Sequence, residues 1–177
     1  VLNRVGGTFD GSMVQDVIVG NSFPEGLQGQ NIARSIALLA GLPNEVPGQT
    51  VNRYCSSGLQ TIAIAANEIM SEQADVLVAG GVELMSAVPM GGNEPTNNPE
   101  LQEADTGVSY PMGLTAEMVA EEYKVSREEQ DAYAVESHKR ASEAQKSGKF
   151  EDEIIPIEVH KVKYDENGPN VTKEIFK

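Results

Sequence analysis

Tryptophan is absent from these 177 residues, cysteine occurs once and histidine twice, and each shortage removes a class of explanation. One cysteine closes no internal disulfide, which fits a reducing compartment and points to the cytoplasm. Cys55 with two distant histidines, His138 and His160, has no zinc-ligand spacing, so no metal is expected. No Lys/Arg cluster interrupts a net charge of −14, and nucleic acid therefore lacks its basic footprint. No apolar run approaches the ~20 residues of a membrane span, and no secretory signal opens the chain. The triplet Asn170-Val171-Thr172 has the glycosylation pattern without that context. Aromatics reach only 5%, so the core must be built from Ala, Val, Ile, Leu and Met. With 40% hydrophobic and 23% charged residues, such a core is feasible.

What is present alternates in period. Met13–Asn21 is rich in β-branched residues and ends at Gly-Asn, which predicts a strand. Gln30–Pro43 carries Ile32, Ile36, Leu39 and Ala40 at helical spacing, closed by Gly41 and Pro43. Gly48–Tyr54 predicts a second strand and residues 55 to about 72 a second helix. Ala74–Ser86 predicts a third strand running into a glycine turn. Strand–helix–strand–helix–strand is an α/β order. After Ser86 comes a Gly-, Pro- and Asn-rich loop of about 25 residues, a length that goes with either function or disorder. Two helices follow, the first with Thr115 as expected N-cap, the second with a Ser126/Glu129 capping box and a stop at Gly148. Ile154–Tyr164 and Asn170–Phe176 flank DENGPN as a β-hairpin. The expected boundary lies near Ser86. The chain opens on Val, and both ends read as cut from a longer protein.

Val51–Met70 places the lone thiol where an extended run gives way to an alanine-rich helix. Gly58, Leu59, Ile62, Ala63, Ile64, Ala65, Ala66, Ile69 and Met70 leave little polar face, so burial on most sides is expected. At ~1.5 Å per residue the helix spans about 25 Å. Cys55 stands at its N-terminus, where unpaired amides and the macrodipole lower a thiol pKa from its usual ~8.5. The thiolate is the nucleophilic form. The same amides, that of Cys55 included, can stabilise an oxyanion, at about 3 kcal/mol per donor. The plainer reading is a small residue filling a tight junction, and position alone does not separate the two. His138 reads as solvent-facing on a charged helix and His160 as an exposed strand residue. The candidate nucleophile therefore lacks a local base.

NRYCSSGLQ, VAGGVELMS, YPMGLTAE, SREEQDAYAVESHKRA and FEDEIIPIEV, in this order along almost the whole chain, together resemble the thiolase family. The resemblance implies an α/β thiolase-like fold: an N-terminal half with a mixed sheet and a buried catalytic helix, plus an inserted loop domain of helices and a hairpin. Residues 1–86 would be the N-terminal core, incomplete at its start, and 87–177 the loop domain, incomplete at its end. The C-terminal thiolase domain, which supplies the base and the second oxyanion donor, would lie outside the chain. Cys55 matches the nucleophile that is acylated, and its amide one oxyanion donor. Met112 matches a residue lining the acyl–pantetheine pocket. Gly80 and Gly81 match a tight turn, and Asn52 and Arg53 a strand near the dimer interface.

The implied activity is thiolytic cleavage of 3-ketoacyl-CoA to acetyl-CoA and a shortened acyl-CoA, as in fatty acid β-oxidation, with coenzyme A as substrate and no permanently bound cofactor. Run in reverse, the same chemistry condenses two acetyl-CoA molecules, which is the biosynthetic alternative. Tetrameric biosynthetic members usually carry His before the Met-Gly pair and a longer loop. Pro111 and the short stretch Gly92–Tyr110 lean toward the degradative type and a homodimer. A ketoacyl-synthase type fits the cysteine but not YPMGLTAE or SREEQD. A non-catalytic CoA- or lipid-binding relative is the remaining alternative, and the retained cysteine argues against it.

Overall fold

A computed structural model describes residues 2–5, 9–104, 107–165 and 168–176, in two compact units, Val1–Glu100 and Leu101–Lys177. The first unit opens on a short helix, α1 (Leu2–Val5), and a 3-10 turn at Gly11–Met13. Ser12 N–H donates to Asp10 Oδ1 (3.0 Å) and fixes that turn. Extended pairing therefore starts later than the β-branched composition predicts, with β1 at Asp16–Gly20. Then come α2 (Ile32–Leu39), β2 (Gly48–Val51), α3 (Ser57–Met70) and β3 (Leu77–Gly81). The strand order is β2-β1-β3, and both pairings are parallel, with Val17 opposite Gly48 and Val78.

Central β1 is covered on both faces, which is why its sequence is a near-continuous apolar run. Val17 and Val19 pack with Ala33 and Ala37 of α2 and with Leu42 and Val46. Ile18, fully buried, points the opposite way, as strand alternation requires. Burying such a side chain contributes about 1.5–3 kcal/mol. Helix α2 begins where Asn31 Oδ1 accepts from Arg34 N–H, and Asn31 Nδ2 also donates to Gly48 C=O (2.7 Å). Its stop follows at Gly41, whose φ of +79° suits glycine.

The expectation that α3 is enclosed on most sides is met along one face only. Ser57, Thr61 and Ala65 are buried, whereas Leu59 is 71% and Met70 82% exposed. Beyond β3 the loop remains tied to the first unit. Val88 is buried, and Asn93 donates through its backbone N–H and its side chain to Glu25 Oε2 (2.7 and 3.0 Å). A five-residue helix, α4 (Pro99–Glu103), interrupts the stretch predicted as loop.

The second unit contains α5 (Met112–Tyr123), α6 (Arg127–Lys146) and the antiparallel strands β4 (Ile157–Asp165) and β5 (Gly168–Phe176). Helix α5 starts three residues before the cap expected at Thr115. Pro111 takes the N-cap place with extended ψ, and Leu114 N–H already donates to its carbonyl (3.0 Å). Proline presets the helix entry without needing a donor of its own. His138 lies exposed on α6 as expected, while the exposure of His160 falls outside the described residues.

The capping box of α6 forms as its sequence predicts: Glu129 N–H donates to Ser126 Oγ (3.2 Å) and Ser126 N–H to Glu129 Oε2 (2.8 Å). The Ser126 backbone N–H, then its hydroxyl, holds the Glu129 carboxyl below its ordinary value of 4.5. A depressed carboxyl pKa adds stability above the ordinary value, and that contribution is lost as pH falls through the lowered one. Ser126→Ala should cost the helix start ~1 kcal/mol. Amides of the first α6 turn should then exchange about fivefold faster at neutral pH, with the difference shrinking in acid.

Candidate active site

The corner between β2 and α3 is built from one close approach, one van der Waals contact and one buried hydroxyl. A Cβ on Gly20, the last residue of β1, would lie 2.6 Å from the carbonyl carbon of Ser57. A Cβ on Gly81, the last of β3, would meet Gly58 Cα at 3.5 Å. Thr61, fully buried, donates its hydroxyl to the carbonyls of Gly58 (2.8 Å) and Gly80 (3.0 Å). Together these seat the first turn of α3 directly on the ends of the two strands. Gly80 and Gly81 thus end a strand where a tight turn was expected. A Cβ on Gly81 would stand at ordinary contact distance from Gly58, and one on Gly80 would meet nothing within 4 Å.

Cys55 is exposed and lies in a 3-10 turn, Tyr54–Ser56, that precedes α3. The helix begins two residues later than the composition predicts, because the chain must first reverse out of the strand. Tyr54 carries that reversal with φ +47°, a left-handed conformation that is a genuine outlier for a bulky residue. Side chains on three sides hold it. Tyr54 N–H donates to Asn52 Oδ1 (2.9 Å), and its carbonyl accepts from the hydroxyls of Ser22 (2.9 Å) and Ser57. Arg53 N–H donates to Ser57 Oγ (2.9 Å) and Ser56 N–H to Arg53 C=O (3.2 Å). The tilted rings of Tyr54 and Phe23 stand 6.2 Å apart.

An open cleft of about 380 Å³ runs past this turn. Cys55, Phe23, Val82, Met85 and Met90 give it a thiol and an apolar lining, and Ser22 and Glu83 give it polar groups. Glu83 Oε2 accepts from Ser22 N–H (2.8 Å), while its Oε1 accepts from the side chains of Gln28 (2.6 Å) and Asn21 (3.3 Å). Burial pushes the Glu83 carboxyl up. The donors on Ser22, Gln28 and Phe23 outweigh it and hold the group below its ordinary value. An anion therefore stands at the cleft at neutral pH. Among the described residues no cluster of His, Cys, Asp and Glu could hold a metal ion.

Met112, the other residue expected at the site, is the first residue of α5 in the second unit, 68% exposed. Cys55 belongs to the first unit. Sequence reasoning missed Gly20, Ser22 and Glu83. Their local signal is slight: Gly20 ends a strand and Ser22 follows two residues later, and Glu83 is one acidic residue in a sequence rich in them.

The chain matches the family model "Thiolase, N-terminal domain" over residues 1–175. It is 53% identical over 158 residues to a 3-ketoacyl-CoA thiolase of Bacillus subtilis (strain 168), covering 89% of this chain and 40% of that protein. Over 167 residues it is 46% identical to a 3-ketoacyl-CoA thiolase of Acinetobacter baumannii (strain AYE), covering 94% of this chain and 42% of that protein. A third, from Alcanivorax borkumensis, is 44% identical over 167 residues, with 94% and 41% covered. The chain thus spans about two fifths of the length of these curated relatives.

Proposed function

This chain belongs to the thiolase family, and from that premise we propose that its full-length protein cleaves 3-ketoacyl-CoA thiolytically through an acyl-enzyme on Cys55. The observation carrying this reading is the single cysteine, exposed in a cleft on a left-handed turn at the head of α3. The Cys55 thiolate attacks the C3 carbonyl of the substrate. The tetrahedral alkoxide collapses, the C2–C3 bond breaks, and its electron pair leaves with acetyl-CoA, which takes a proton at C2. The thiol of coenzyme A then attacks the acyl thioester, releasing the shortened acyl-CoA and restoring Cys55. The backbone N–H of Cys55 is proposed as one donor to the alkoxide. The acid–base residues are assigned to parts of the full-length protein beyond this chain, since the relatives are more than twice as long.

The names of the relatives, together with Pro111 and the short Gly92–Tyr110 stretch, favour the degradative direction over acetoacetyl-CoA synthesis. A role in β-oxidation, a homodimer and a cytoplasmic location belong to the same reading. It also assigns residues 1–86 to the catalytic core and 87–177 to the loop domain. Among the described residues no helix is long and apolar enough to cross a membrane. Incubating the full-length protein with a medium-chain 3-ketoacyl-CoA and coenzyme A should release acetyl-CoA and an acyl-CoA two carbons shorter in equal amounts. Binding without cleavage would favour a non-catalytic relative.

Met112 is proposed to contact the acyl–pantetheine chain. Met112→Ala should raise KM for the 3-ketoacyl-CoA about tenfold with kcat little changed, the pattern of lost uniform binding. An unchanged KM would remove Met112 from the site.

A further inference from the structure

The left-handed turn that presents Cys55 is held by a chain of contacts that begins well outside it. Ser22 is the common member. Its hydroxyl donates to Tyr54 C=O (2.9 Å), and its own carbonyl accepts from Asn52 Nδ2 (2.9 Å). Asn52 Oδ1 in turn accepts from Tyr54 N–H (2.9 Å). Ser22 is itself fixed by Glu83, which takes its backbone N–H at 2.8 Å. Glu83 is oriented by Gln28, which is buried and spends its amide on Glu83, on Phe23 C=O (2.8 Å) and on Leu84 N–H (2.6 Å). The links from Ser22 to Tyr54, Asn52 and Glu83, and from Gln28 to Glu83 and Leu84, join residues 30 or more apart in sequence, so the network exists only in the folded unit.

We infer that Glu83 is a positioning residue for Cys55, acting through Ser22 to hold Tyr54 in the left-handed conformation that aims the thiol into the cleft. The inference rests on the proposed role of Cys55 as nucleophile. A left-handed backbone at a bulky residue persists only where its surroundings over-determine it. A charge-assisted hydrogen bond, stronger than a neutral one, suits that task. Glutamine in place of Glu83 keeps the shape but presents an amide, removing the charge from the contact with Ser22.

The test compares two backgrounds of the full-length protein. In the first, Glu83→Gln should lower kcat for thiolysis of acetoacetyl-CoA about 30-fold, with KM within about threefold of the unsubstituted protein. In the second, Tyr54 is replaced by asparagine, which tolerates the left-handed region far better. There Glu83→Gln should cost less than about fivefold, because the turn no longer needs the clamp. Equal losses in both backgrounds would overturn the inference, as would an unchanged kcat in the first. Should Glu83→Gln fail to accumulate as folded protein, Ser22→Ala removes only the hydroxyl bound to Tyr54 C=O and carries the same comparison. Failure of the unsubstituted protein to form an acyl-enzyme would sink the functional reading itself. A normal acyl-enzyme with an indifferent Glu83 would sink only this inference.

Discussion

Replacing Cys55 by serine in the full-length protein should lower thiolytic turnover by roughly 10⁴- to 10⁶-fold, the usual cost of removing an enzymatic nucleophile. Serine keeps nearly the same size, and Cys55 is exposed in its turn, so the fold has little reason to respond. Surface substitutions of this kind stay within about 0.5 kcal/mol. The hydroxyl, however, is a far weaker nucleophile near neutral pH than a thiolate. The unfolding midpoint should therefore hold while kcat collapses. A variant retaining a tenth of the activity would move the chemistry elsewhere in the protein.

Gly20→Ala should be nearly as damaging for a different reason. The added Cβ would sit 2.6 Å from the Ser57 carbonyl carbon and 2.8 Å from both its oxygen and its Cβ. Carbon–carbon contacts want about 3.5–4.0 Å, so α3 must retreat from β1 by roughly 1 Å. No rotamer change can absorb this, because two of the obstructing atoms are backbone and the third is a Cβ, which χ1 does not move. Overpacking of this kind costs about 1–3 kcal/mol. The catalytic cost is larger, since Ser57 anchors Arg53 N–H and Tyr54 C=O on either side of the turn. A displacement of that size should lower acylation about 100-fold.

Gly48→Ala is the control. Its Cβ would strike backbone atoms of Arg34 at 2.7 and 2.8 Å, but on α2, across the sheet from Cys55. The two variants should lose similar stability in urea, while only Gly20→Ala loses acylation. Equal kinetic losses would mean that general loosening, not the α3–β1 spacing, governs the site.

Elements whose signals are local were legible in the sequence. The α2 stop at Gly41, the α6 capping box and the alternation of strands and helices all follow from residues close to one another. The all-parallel pairing of β1, β2 and β3, where a mixed sheet was expected, does not. The start of α5 was misplaced because Thr115 looks like a cap, while Pro111 takes that place through its fixed φ and extended ψ. Cys55 could be singled out from its corner, but not the turn that carries it. Nothing in NRYCSS announces that Tyr54 will be left-handed, because the groups that stabilise it include Ser22, and through it Glu83. Gly20 is illegible for the same reason, its requirement being set by Ser57 on a helix that the chain reaches only after α2 and β2. The apolar sequence of α3 overstates its burial, because it records what a helix is suited to contact. Among the described residues only its Ser57, Thr61 and Ala65 face is covered.

The most direct test of the central claim is to capture the acyl-enzyme. The full-length protein, incubated briefly with acetyl-CoA in the absence of free coenzyme A and quenched in acid, should carry one acetyl group on the peptide containing Cys55. Added coenzyme A should remove it, and Cys55→Ser should never acquire it. Stable acetylation of another residue, or an unmodified Cys55 in a protein that still turns substrate over, would contradict the account.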